Sequence, residues 1–250
     1  MKNNFLIFGP TSHISSIIFP FILNKNNNII CMCTNTNRFR IYLKKKKFFE
    51  KKKQKNLLIK KFSYDRKNII NLSNFLRKEK FNNLIIINLY RNQNNLYKLN
   101  IKNFVSEYYV NVLFNYEIIK ALIKNKIEIK KIILLSSMYA VKEPSSLMHN
   151  LKTFPIHYSL SKAALENLSK NLSNIFKNKI NLICLRLGGI KGKVNKSFEK
   201  KYENYFKSQM LDDKDLIKIF KYALKLKINY KKNIIIAQKK LNNSLNFENK

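Results

Sequence analysis

Seven short apolar runs recur along the chain: NFLIFG (4–9), NNIICMC (27–33), NLLIKKF (56–62), NNLIIINL (82–89), KKIILLSS (130–137), INLICLRL (180–187) and NIIIAQ (233–238). Each is a continuous Ile, Leu, Phe or Val stretch rather than an alternation, the pattern of parallel strands buried on both faces. Between them lie segments with apolar positions spaced near 3.6 residues, notably IINLSNFLRKE (69–79), YYVNVLFNYEIIKALIKN (108–125) and SKAALENLSKNLSNIFKN (161–178). The alternation predicts a single-domain α/β fold over 1–250: a Rossmann-like, doubly wound parallel sheet of about seven strands, with 238–250 as a polar tail. Ligands of such sheets bind beyond the carboxyl ends of the strands, so chemistry is sought there.

Composition narrows the partners. A chain of 250 residues with 45% hydrophobic residues can bury a substantial core. Its net charge of +36 ordinarily points to nucleic acid or an anionic surface. Here, however, Lys, Asn, Ile, Phe and Tyr abound throughout, while Gly, Pro and Trp number 4, 4 and 0, the drift of a coding sequence pushed toward A and T. Charge of that origin is spread over the whole surface, so no specific nucleic acid partner is expected, and the dense run Lys44 to Lys61 reads as solvated helix and loop. Cys31, Cys33 and Cys184 form no disulfide framework and read as reduced, structural thiols. The early apolar stretch is broken by Gly9, Pro10 and Pro20, too short for a membrane span and without a small-residue cleavage site; a cytoplasmic protein is expected.

The chemistry-bearing segment is HYSLSKAALENLSKNLS, from His157. Tyr158 and Lys162 are four apart, one turn from each other on a helix face. An ammonium beside a phenol favours the phenolate and lowers its pKa from about 10, giving an acid and base usable near neutral pH. Upstream, a strand ends in LLSSMYA, where the hydroxyl of Ser137, or of Ser136 one position earlier, can hydrogen-bond a substrate carbonyl. Downstream, LRLGGIKG places Gly188 and Gly189 where backbone can approach a ligand closely. Asn111 sits in an apolar helical stretch, where an amide needs partners; linking helices is its plainer use. His149 and His157 have no orienting acid in view and read as structural or substrate-contacting. No metal site is expected.

Taken in order, these segments resemble the short-chain dehydrogenase/reductase family, classical type: a glycine turn after the first strand, a fourth strand ending INLYRN, the helix of Asn111, Ser136 and Ser137, YSLSK at Tyr158 to Lys162, and LGGI at Leu187 to Ile190. Within it, the chain is most similar to oxidoreductases of flagellin-modification and nonulosonic-acid sugar pathways, through Tyr90 and Arg91, the twenty-one positions from Ser137 to Tyr158 with Pro155 just ahead, and SFEKKYENYFKSQML after the glycines. The resemblance implies hydride transfer between NAD(P) and a small carbonyl or alcohol substrate, a sugar or nucleotide-sugar in the narrower placement. It implies Tyr158 as proton donor or acceptor, Lys162 lowering its pKa and holding the nicotinamide ribose, Ser137 orienting the reacting group and Asn111 ordering a proton relay. Gly9, Thr11, Ser12, His13, Ile14, Arg38, Asn88, Gly188 and Ile190 would join Tyr158 and Lys162 in holding cofactor. Tyr90, Arg91 and Gly189 would join Ser137 on the substrate; Tyr90 and Arg91 read equally well as plain loop residues. The loop Ala140 to Pro155 would border the substrate pocket, and the family's pairing implies a homodimer or homotetramer.

Cofactor choice leans on one segment. NAD sites usually carry an acid after the second strand, on the ribose hydroxyls. CMCTNTNRFR has none and carries Arg38 and Arg40, favouring NADP over NAD. The chain also departs from the family pattern: of the three glycines in TGxxxGxG only Gly9 remains, with His13 and Ser15 at the later positions, INLY replaces NNAG and QKK replaces DGG. Two readings therefore stand, a working reductase with an eroded cofactor turn and a non-catalytic scaffold of the same fold. Joint retention of Ser137, Tyr158 and Lys162 favours the first.

Overall fold

The computed structural model describes residues 4–23, 27–45, 56–63, 68–69, 71–72, 74–75, 83–86, 100–146, 148–150, 154–177, 179–192, 194, 196–227 and 231–250. Strands and helices alternate: β1 (Asn4–Phe8), α1 (His13–Ile22), β2 (Asn28–Cys33), α2 (Thr36–Lys45), β3 (Leu57–Lys61), β4 (Asn83–Ile86), α3 (Ile101–Tyr108), a π-helical turn (Tyr109–Leu113), α4 (Phe114–Lys124), β5 (Lys131–Ser137), α5 (Ile156–Phe176), β6 (Asn181–Leu187), α6 (Lys196–Phe206), α7 (Asp213–Lys225), β7 (Ile234–Lys239) and β8 (Leu245–Asn249). The strands form one mostly parallel sheet in the order β3-β2-β1-β4-β5-β6-β7-β8, a Rossmann-like α/β fold. The chain packs as two compact units, 1–89 with 114–133, and 90–113 with 134–250.

In the first unit β1 pairs in parallel with β2 and β4, so that Leu6 lies between Ile30 and Leu84. All three side chains are nearly or fully buried, which accounts for the unbroken apolar runs. Phe8 meets Phe62 and Phe114 edge to face at 5.3 and 5.4 Å, and Phe19 meets Phe39 at 5.5 Å, pairs that contribute about 1 kcal/mol each beyond area burial.

Helix α1 runs through Pro20, which has no N–H to donate to the carbonyl of Ser16 four residues back. The Tyr42 hydroxyl of α2 donates to that carbonyl instead, at 3.0 Å. A proline that reads as a break in the sequence is thus accommodated by a neighbouring phenol. Tyr42→Phe is expected to lower stability by about 1 kcal/mol, read as a fall in urea midpoint at unchanged slope; an unchanged midpoint would show that the carbonyl finds water instead.

In the second unit β6 and β7 pair in parallel, Cys184 opposite Ile234 and Leu187 opposite Ala237. The seven expected strands are in place, and an eighth corrects the polar-tail reading: β8 runs antiparallel to β7, with Ala237 opposite Phe247. Asn243 turns the chain at φ 66°, a conformation asparagine tolerates, and Phe247 stacks on Tyr222 of α7 at 4.4 Å. The strand was hidden because it alternates, Leu245 and Phe247 between polar residues, as an edge strand with one covered face does. Lys239, at the end of β7, donates to both carboxylates of the α7 capping box, Asp212 and Asp215, at 2.9 Å each.

Candidate active site

The glycine turn belongs to the first unit. Gly9 has φ 72°, in the left-handed region where a side chain is disfavoured, which explains why this glycine persists. Ser12 caps α1, its Oγ accepting from the backbone N–H of Ser15 at 3.1 Å. Ser15, at the family's third glycine position, is buried, and its hydroxyl donates to the Gly9 carbonyl at 2.7 Å. A hydrogen bond there ties helix to strand where a glycine would allow bare contact. His13 and Thr11 are exposed, whereas Ile14 is buried. The first turn of α1 carries no acid, so its N-terminal end suits an anion. Arg38 is exposed near the start of α2, its backbone N–H held by Asn35 Oδ1 at 2.8 Å.

The acid/base candidates belong to the second unit. Pro155 stands at the N-cap of α5, a position with no N–H to satisfy, and the helix then runs 21 residues with Tyr158, Lys162 and Glu166 in line on its buried face. Tyr158 is 8% exposed and Lys162 1%. Lys162 Nζ lies 5.6 Å from the centre of the Tyr158 ring and donates to the Leu135 carbonyl of β5 at 2.8 Å. Burial lowers Lys162 to about 8, opposed by the charges of Cys184, Glu107 and Glu166. It is still mainly an ammonium at neutral pH.

The two serines that end β5 separate by strand alternation. Ser136 is buried and donates to Glu166 Oε1 at 2.8 Å. Ser137 is partly exposed, its Oγ accepting from the Tyr139 N–H at 3.4 Å. Asn111 is fully buried inside the π-turn, a local widening that frees backbone groups from the regular ladder. Its Nδ2 donates to Ser161 Oγ at 3.0 Å, and Ser161 donates to the Tyr158 carbonyl at 2.9 Å, so the amide braces the turn of α5 that carries the tyrosine.

Three further residues, Arg186, Tyr139 and Tyr202, were not singled out from sequence. Arg186 of β6 clamps Glu166 with two hydrogen bonds, at 2.8 and 2.5 Å. A lone arginine inside INLICLRL was the available signal, since a buried guanidinium needs a carboxylate. Tyr139 is hydrogen-bonded to His149 at 2.7 Å, and its ring lies 6.5 Å from that of Tyr158. His157 packs on Phe104 at 4.9 Å, and burial lowers its pKa. Tyr202 of α6 is the group that the two glycines admit: its hydroxyl accepts from the Gly189 N–H at 2.5 Å, and a Cβ on Gly189 would stand 2.6 and 2.8 Å from its ring carbons. Gly189→Ala is therefore expected to cost about 2 kcal/mol in chemical denaturation, more than Gly188→Ala, where the nearest atom is 3.3 Å away; equal costs would contradict this packing. Ile190 pairs with Leu211 in an isolated bridge. Asn88, Tyr90 and Arg91 lie outside the described residues, as do 147 and 151–153 of the loop ahead of α5.

A hydroxyl, a phenol and a buried ammonium at successive strand and helix positions can orient a carbonyl and exchange a proton with its oxygen. No protein-family model and no curated protein matches the chain. Solved structures do. A short-chain dehydrogenase from Leptospira borgpetersenii with bound NAD+ superposes at a TM-score of 0.75 with 17% identity, covering 94% of this chain and 91% of that one. An alcohol dehydrogenase from the archaeon Thermococcus sibiricus, complexed with 5-hydroxy-NADP, gives 0.67 and 14% over 94% and 96%. BdcA in complex with NADPH gives 0.67 and 12% over 88% and 86%. The chain has the fold of the short-chain dehydrogenases.

Proposed function

We propose that the chain is an NAD(P)-dependent short-chain oxidoreductase acting on a small carbonyl or alcohol. The observation that carries this is the buried Tyr158–Lys162 turn, braced through Ser161 by Asn111, in a fold shared with structures that hold NAD+ and NADPH. Tyr158 gives a proton to the carbonyl oxygen in reduction, or takes it from the alcohol in oxidation. Lys162 favours the phenolate and holds the ribose hydroxyls. Ser137 hydrogen-bonds the reacting oxygen, and Asn111 orders the proton path. The nicotinamide supplies or accepts the hydride when bound.

For the cofactor, Gly9, Thr11, Ser12, His13, Ile14, Asn88, Gly188 and Ile190 are the proposed contacts, with α1 presenting its positive end to phosphate. The fit is supported by the glycine conformation at residue 9, the absence of an acid in the first turn and the exposure of His13, while Ser15 is buried on the Gly9 carbonyl. Arg38 favours a 2′-phosphate, so NADPH is expected to bind more tightly than NADH, and Arg38→Ala to narrow the gap; equal affinities in the unaltered protein would refute the preference.

Tyr90, Arg91, Gly189 and the 140–155 loop are the proposed substrate contacts. The resemblance read from the sequence to flagellin-glycan and nonulosonic-acid oxidoreductases is what favours a sugar or nucleotide-sugar over a 3-oxoacyl compound. No described helix is long and apolar enough to cross a membrane, and a cytoplasmic homodimer or homotetramer is the proposed form. The test is NADPH oxidation against a panel of keto-sugars and oxoacyl compounds. Turnover lost in Tyr158→Phe supports the reading, and equal rates in the two proteins refute it. The hydrogen bond from Ser15 to Gly9, in place of a bare glycine contact, is what favours the scaffold alternative, for which no nicotinamide binding is expected.

A further inference from the structure

Lys162 is a buried charge of the second unit. It is 1% exposed, and its Nζ donates to the Leu135 carbonyl. One turn further along the same buried face, Glu166 reaches the next residue of β5, accepting from Ser136 at 2.8 Å. Its two oxygens are held by Arg186 through Nε and Nη2. Glu166 and Arg186 are each about 6% exposed at the side chain, so this is a desolvated, geometrically fixed pair in which electrostatic effects reach neighbours.

We propose that Glu166, clamped by Arg186 and Ser136, is a positioning residue for Lys162: its carboxylate keeps the neighbouring amine charged and seated against Leu135. The role matters only if Lys162 serves Tyr158, and in that respect it rests on the function proposed above. Other charged or titratable groups act on Lys162 as well. Cys184 faces it from β6 and Glu107, fully buried, from α3, while Tyr158 shares its helix. Burial pushes the Cys184 thiol up to about 12, so it stays neutral over the working range and leaves the carboxylates as the sources of stabilising charge. Glu166 is held in place by hydrogen bonds from Ser136 and Arg186, on the adjacent strands β5 and β6.

The clamp gives Arg186 an opposite effect: its guanidinium offsets part of the carboxylate's charge. Removing Arg186 alone should therefore strengthen the hold on Lys162, and removing both charges should weaken it. Glu166→Gln alone would leave a guanidinium buried without its carboxylate and endanger folding; Arg186→Met leaves the carboxylate its hydrogen bond from Ser136, and the double change removes both charges together.

The experiment follows the ¹³Cε resonance of Lys162 through a pH titration in the full-length protein, with circular dichroism to check the fold. In Glu166→Gln/Arg186→Met the midpoint is expected to fall by about one pH unit, and in Arg186→Met to rise. The alkaline limb of kcat/KM should move in the same directions. No shift, shifts of the same sign in both variants, or loss of fold in the double variant would each overturn the proposal, because each makes the pair merely structural. The resonance reports on Lys162 whether or not turnover is found, so an inactive unaltered protein would count against the oxidoreductase reading and leave this result standing on its own.

Discussion

Tyr158→Phe is expected to reduce turnover by about a thousandfold or more while the protein stays folded, because it removes the hydroxyl proposed to exchange a proton with the reacting oxygen. The ring itself, 8% exposed and edge-on to Tyr139 at 6.5 Å, is retained, so packing is preserved. Circular dichroism and the denaturation midpoint should be close to those of the unaltered chain. Nicotinamide affinity should fall only by the one contact of the Tyr158 hydroxyl, since the phenylalanine leaves Lys162 and the glycine turn intact. A folded variant with an unchanged rate would remove Tyr158 from the mechanism.

Lys162→Met is expected to reverse the usual relation between a mutation and stability. Its folded value of about 8 lies below the ordinary 10.5, so the folded state carries the full penalty of a buried charge below pH 8. Between about 8 and 10.5 the unfolded chain holds a proton that the folded chain has released, and stability rises with pH. A difference of that size corresponds to about 3 kcal/mol at neutral pH. Methionine matches the stem in length, and loss of the bond to Leu135 returns about 1 kcal/mol of the gain. The variant should therefore be more stable by about 2 kcal/mol at pH 7, with the difference shrinking toward pH 10, and its kcat/KM should fall by about a hundredfold or more. Urea denaturation at several pH values checks this; a variant less stable at pH 7 than at pH 10, relative to the unaltered protein, would have the sign wrong.

The central parallel strands were legible in the sequence because burial on both faces leaves few polar positions, and each apolar run became a strand or part of one, β3 included although its Leu57 to Ile59 are only half-buried and Lys60 and Lys61 are exposed. The edge strand β8 was not, because Leu245 and Phe247 alternate with polar residues in a segment otherwise rich in Asn and Lys. Tyr158 and Lys162 could be paired from their spacing alone, since four residues make one helical turn. Choosing between Ser136 and Ser137 needed the structure: adjacent strand residues face opposite ways, and only the position of Glu166 shows which hydroxyl is already engaged.

The glycines at 188 and 189 were read as sites where a ligand comes close to the backbone; what the structure places there is the ring of Tyr202, thirteen residues beyond Gly189. No periodicity couples those positions. His13 and Ser15 read alike as intrusions into a glycine turn, yet they differ physically: Ser15 lies buried beneath the turn on the Gly9 carbonyl, while His13 is exposed. Distance along the chain hid the Arg186–Glu166 pair, whose members are separated by twenty residues and meet only when α5 packs against β6.

Whether so altered a turn still takes a nicotinamide decides between catalyst and scaffold. The direct measurement is a titration of NADPH and NADH fluorescence with the purified full chain. Saturable binding of both, tighter for NADPH, is the predicted result. Absence of binding by either nucleotide to a folded protein would contradict the account at its centre.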